Sequence, residues 1–136
     1  MTVVPGIHID KGELIVDERR LTYPGDLLHE AGHLAVRAKD QWESIDGDVG
    51  GDGGDEMAAM AWSYAAAVHL GIDPAVVFHP GGYKDGSEAI INAFVNRDGM
   101  GVPVLQYLGM TVEKKSAAKL GVPPYPAMRR WIRTQR

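Results

Sequence analysis

Leu27-Leu28-His29-Glu30-Ala31-Gly32-His33-Leu34-Ala35 is the stretch on which the reading of this chain turns. Leu27, Leu28, Ala31, Leu34, Ala35 and Ala38 recur at helical spacing and form a broad apolar stripe. The pattern predicts a helix over residues 22–39, with Thr22 as its cap, Pro24 in a first-turn position and Asp26 at the positive end of the macrodipole. His29 and His33 interrupt the stripe four residues apart. At about 100° per residue, the second ring returns to about 40° from the first, so both imidazoles can reach one ion. Two imidazole nitrogens and a carboxylate suit zinc, with a water in the fourth position. Glu30 follows His29 directly, where it projects beside that water as a general base. A polar His-Glu-His patch in an apolar helix otherwise needs partners that the stripe does not supply.

Two histidines leave such a site one protein ligand short. Downstream, the candidates are Asp52, Asp55, Glu56, His69 and His79. Residues 43–54, rich in Gly and Asp, read as a loop; their spacing lacks the oxygen ligands and terminal Glu of a calcium loop. A second helix is expected from Asp55 to Leu70, stopped by Gly71, and almost wholly apolar after Glu56. Glu56 leads the candidates: its helix face continues through the small or flexible Met60, Ser63 and Ala67 and could pack closely on the first helix. His69 lies about 220° round from Glu56 and should point away. Asp52 is the second choice, on a loop long enough to reach the ion.

Elsewhere the elements are short. Ile7 to Val16 reads as a hairpin or two short strands around Asp10-Lys11-Gly12. Asp73-Pro74 opens a brief segment ending at Phe78-His79, followed by the loop His79-Pro80-Gly81-Gly82-Tyr83. Helices are expected over residues 87–97 and 112–120, with Ser87 and Thr111 as caps and Gly121 as a stop, and a short basic helix over 126–136. Trp42 and Trp62 read as core or rim aromatics, and Arg129, Arg130, Arg133 and Arg136 as a solvated face with Trp131 docked on the core.

The 136 residues, 45% of them hydrophobic, suit one domain over 1–136. A net charge of −4 gives no electrostatic support to nucleic-acid binding. Without cysteine, disulfides and thiolate metal sites are excluded. No apolar run approaches the about 20 residues that span a bilayer, and the first residues do not read as a secretory signal. The expectation is a cytoplasmic protein without a membrane partner.

His29-Glu30-Ala31-Gly32-His33, followed by Leu34-Ala35, resembles the active-site helix of zincin metallopeptidases. With Glu56 on a second helix, it looks like the gluzincin branch. Glu56-Met57-Ala58-Ala59-Met60-Ala61 is also similar to the second-helix pattern of ImmA/IrrE-type bacterial peptidases. The resemblance covers residues 22–70. It implies an α+β zincin-like fold with a small sheet beside the active-site helix, His29, His33 and Glu56 as zinc ligands, Glu30 as base, and a peptide or protein substrate. One departure stands out: thermolysin-like members carry an Asp four residues after the third ligand, where this chain has Met60. Hydrolysis also calls for a donor to the oxyanion, for which His79 and Tyr83 are the candidates and Tyr64 and Tyr107 weaker ones. The competing expectation is a regulatory or interaction domain that keeps the metal without turnover.

Overall fold

The computed structural model describes residues 6–10, 13–38, 42, 53–79, 87–97 and 101–133. It is a helix-dominated fold with one small sheet. The elements are β1 (Ile7–Asp10), β2 (Glu13–Val16), α1 (Asp26–Ala35), α2 (Gly53–Leu70), α3 (Pro74–Val77), α4 (Ser87–Arg97), α5 (Val102–Tyr107) and α6 (Lys114–Leu120). β1 and β2 form the expected hairpin, antiparallel, with Ile7 opposite Val16 and Asp10 opposite Glu13.

α2 is the central element. Ala58, Ala59, Ala61, Ala65 and Ala67 are fully buried, as expected for a helix apolar on most sides. Around it pack Val36 at the end of α1, Val77 and Phe78 from the α3 segment, Val102 and Leu105 of α5, and Met110 and Tyr125. Phe94 of α4 stacks on both Tyr64 and Phe78. The Tyr125 hydroxyl, deep in this cluster, donates to the Ala61 carbonyl oxygen at 2.7 Å. Asp73 caps α3 by accepting from the Ala75 N–H at 2.9 Å, with Pro74 at the first helical position.

Several boundaries differ from expectation. α1 is shorter than residues 22–39. Its N-cap is Gly25, and the Thr22 hydroxyl turns back to the Arg20 carbonyl instead of capping. Gly25 is packed so tightly against the Val76 carbonyl that a Cβ there would collide with it. At the other end, the Arg133 N–H donates to the Ala35 carbonyl oxygen at 2.9 Å and the Arg133 guanidinium to that of Val36 at 3.2 Å. The C-terminal segment thus meets carbonyls that the helix end leaves without intrahelical partners. α2 starts at Gly53, two residues into the expected loop, and ends as read at Leu70, with Gly71 at φ 73°.

α5 was not expected, although Pro103 in its first turn is a helix-start signal. α6 starts at Lys114, not 112, and ends on Gly121 at φ 68°. Thr111 does not cap it: Thr111 bridges to Met128, and its hydroxyl donates to the Ala127 carbonyl oxygen at 2.8 Å. No helix forms over residues 126–133, so the expected basic helix is absent from that described stretch. Among the described residues, no helix is long and apolar enough to cross a membrane.

Candidate metal centre

α1 and α2 pack more extensively on each other than any other pair of elements. The approach is close because Gly32 faces α2. A Cβ at that position would lie 2.8 Å from the Ala59 carbonyl oxygen and 3.2 Å from Cε3 of Trp62. The glycine between the two histidines therefore sets how near the second helix can come.

That seam gathers His29, His33 and Glu56. The Nε2 atoms of His29 and His33 are 3.2 Å apart. Glu56 spans them, with Oε1 2.9 Å from His29 Nε2 and Oε2 3.3 Å from His33 Nε2. The rings stand at 86° to each other. A tetrahedral zinc with bonds of about 2.0–2.1 Å has edges of about 3.3 Å between ligand atoms. The three separations, 2.9–3.3 Å, are each close to such an edge, with the two Glu56 oxygens facing different histidines. Each Nε2 can donate to a different oxygen of Glu56, which leaves the two imidazole nitrogens facing one another at 3.2 Å with no hydrogen bond between them. The donor set and its spacing fit a divalent ion.

Glu30 is buried at 3% exposure beside this group. Its Oε1 has no hydrogen-bond partner among the described residues. Burial pushes its carboxyl pKa up, as do the nearby carboxylates Glu56 and Asp26, against the pull of His33 and His29. Glu56 behaves oppositely: hydrogen bonds from His29 and then His33 hold its carboxyl well below the ordinary range, outweighing its partial burial.

Two carboxylates thus stand near the imidazoles. His29, Glu30 and His33 form a group able to hold a metal ion, each offering a ligand atom within 4.8 Å of the others. Glu56 contacts both rings, at 2.9 Å from His29 Nε2 and 3.3 Å from His33 Nε2. His33 Nδ1 is also buried without a partner among the described residues. Metal-bound histidines usually give this second ring nitrogen to a carboxylate or carbonyl. Met60, at the position where an orienting Asp was missed in the sequence, packs instead against the apolar core.

His79 is buried at the head of α1. Its Nε2 lies 2.7 Å from Asp26 Oδ1, and its ring stacks on Tyr23 with centroids 3.8 Å apart. Asp26 precedes Glu30 by one helical turn, on the same face. His79 is therefore joined to the Glu30 side of the helix through Asp26, a pairing the sequence reading missed. Only the three-dimensional placement of α3, against Gly25, produces it. His69 is exposed and its ring meets Trp131. Tyr64 is a core residue stacked on Phe94, and Tyr107 is 80% exposed. Tyr83 and Asp52 lie outside the described residues, as does the side chain of Asp55.

No protein-family model, no curated protein sequence and no solved structure matches this chain.

Proposed function

We propose that this chain is a zinc-dependent peptidase with a zincin-like arrangement of its site helix, second helix and hairpin. The observation that carries the reading is the convergence of His29 Nε2, His33 Nε2 and the Glu56 carboxylate at tetrahedral spacing, beside a buried and unpaired Glu30. His29, His33 and Glu56 would hold the ion. Bound there, zinc supplies Lewis acidity toward water and toward a scissile carbonyl.

The chain's own groups do the rest. Glu30 Oε1, unpaired and shielded from bulk water, takes the proton of the attacking water and returns it to the leaving amine. His79, oriented by Asp26, is the described candidate for a donor toward the substrate carbonyl oxygen; Tyr83 is the other candidate. The unpartnered Nδ1 of His33 favours the second reading, a metal-binding module without turnover.

The test begins with elemental analysis of tag-free protein from zinc-supplemented medium, where about one zinc per chain is expected. A peptide library then compares the zinc-loaded protein with Glu30→Gln. A loss of about 10²–10⁴-fold with zinc retained supports the peptidase. Zinc without cleavage by either protein selects the binding module. Absence of zinc after titration rejects both.

A further inference from the structure

A second cluster of chemistry lies away from the metal residues. A cleft of about 350 Å³ opens between the end of α5, α6 and the C-terminal segment, lined by Gln106, Val112, Ser116, Leu120, Arg129 and Arg130 among others. It shares no residue with the metal centre, and its volume lies within the range of small-molecule sites, about 300–1,000 Å³.

Its electrostatics differ from those of the rest of the chain. Residues 101–136 hold seven of the 14 Lys and Arg but only one of the 18 Asp and Glu, Glu113. Residues 1–100 hold the other seven cations and seventeen acids, so the acidic balance of the whole sequence conceals a strongly basic last quarter. Lys114, Lys115 and Lys119 are exposed on α6 near the cleft. Among the described residues, no acidic residue lines the cleft, and the Arg129 and Arg130 guanidiniums have no acidic or hydrogen-bond partner.

The backbone of the two arginines is also anchored. Both of their backbone N–H groups donate to the Met110 carbonyl oxygen, at 2.8 and 3.2 Å. The buried Thr111 donates to the Ala127 carbonyl and bridges Met128, and the Tyr125 N–H donates to the Val112 carbonyl at 2.8 Å. The backbone that carries both arginines is therefore fixed against the cleft, so no loop has to be ordered when an anion is captured.

We propose that this cleft binds the phosphate group of a small phosphorylated molecule. Guanidinium forks from two consecutive residues that both line the cleft can satisfy a dianion with three oxygens, whereas a carboxylate, with one charge and two oxygens, fills only one fork. Ser116 adds a hydroxyl, and Val112 and Leu120 give an apolar wall for the group that carries the phosphate.

The test is calorimetric titration of zinc-free protein with phenyl phosphate at constant ionic strength, with phenol and benzoate as controls. Zinc-free protein keeps the ion from taking the phosphate. Saturable binding of phenyl phosphate, with neither control matching it, is expected. It should weaken by about tenfold or more in the double variant Arg129→Gln/Arg130→Gln, the loss of at least one charge-assisted contact. Both arginines are exposed, and unchanged thermal unfolding would show the fold intact. Ser116→Asp, which puts a negative charge in the cleft while leaving both arginines in place, should abolish binding as well. No saturable binding, equal affinity in either variant, or benzoate binding as tightly as phenyl phosphate would overturn the proposal. So would retention on phosphatidic acid vesicles with no response to phenyl phosphate, since that would assign the surface to a lipid headgroup.

Discussion

The α1–α2 seam and the layer beneath the C-terminal segment both bury polar side chains against the same central helix, and they treat them in opposite ways. Under the C-terminal segment three side chains are answered, and Arg133 Nε is the buried atom left open there among the described residues. Tyr125 reaches the Ala61 carbonyl, Thr111 that of Ala127, and Gln106 Oε1 accepts from the Glu113 N–H at 2.8 Å. In the seam, Glu30 Oε1 and His33 Nδ1 are buried with no partner among the described residues, and two imidazoles and a carboxylate crowd together at 2.9–3.3 Å. An unpaired buried polar atom costs about 1–3 kcal/mol. Among the described residues, only in the seam do the open groups stand beside a cluster of ligand-type side chains, and that marks the seam as the place for a ligand.

The largest expected break in this contrast is Glu56→Ala. Removing one of three ligands should weaken zinc affinity by more than about 100-fold, beyond what loss of an outer hydrogen-bond partner costs. The fold should persist, because Glu56 lies near the start of α2 and contributes nothing to the apolar core. Competition against a zinc-binding dye measures the affinity, and circular dichroism the fold. Undiminished stoichiometric zinc would remove Glu56 from the ligand set.

Gly32→Ala comes next. The new Cβ would press on the Ala59 carbonyl oxygen and Trp62, so one of the helices must shift. Overpacking of this kind costs about 1–3 kcal/mol. Because the shift moves Glu56 away from both rings, zinc affinity should fall together with the urea midpoint. A variant that loses stability but keeps full affinity would show that helix separation does not govern the site.

The seam was readable in the sequence because it depends on helical phase. His29 and His33 share a face by spacing alone, and Glu56 follows from the start of a second apolar helix. The packing role of Gly32 was not readable, since a glycine inside a helical pattern does not name the backbone that approaches it. The Asp26–His79 pair was likewise hidden, because it joins residues 53 positions apart through the seating of α3 on Gly25. At the C-terminus, the arginines around Trp131 gave a helical pattern. Pairing of Thr111 with Met128 and the anchoring of Arg133 on α1 impose an extended path instead.

Tyr125→Phe probes the satisfied side. It removes a fully buried hydrogen bond while preserving the ring's packing near Tyr64 and Phe94. The Ala61 carbonyl keeps its place in the α2 ladder, so the cost should be about 1 kcal/mol, seen as a lower urea midpoint at unchanged slope. Zinc affinity should not change. A parallel loss of affinity would mean that the two sides of α2 are coupled, and the contrast between them would fail.

The smallest effect concerns pH in the zinc-free protein. Hydrogen bonds from His29 and His33 lower the Glu56 pKa in the folded state. A carboxyl depressed in this way stabilises the fold fully above its unfolded pKa, about 4.3, and the contribution disappears as pH falls through the lower folded value. The side chain is 41% exposed, so solvent screens the pair and the contribution is modest. Thermal unfolding measured downward from pH 5 should therefore decline less steeply in Glu56→Gln than in the parent protein, with the two curves converging at the acid end. Glu30 acts in the reverse sense: its raised folded pKa means that its charged form opposes folding above the ordinary carboxylate range. Glu30→Gln should accordingly raise the stability of the zinc-free protein near neutral pH. Equal slopes for Glu56→Gln and parent would show that the Glu56 contacts in the seam leave no trace in the folding equilibrium. The closeness of these three groups would then have to be explained by packing of α1 on α2 alone.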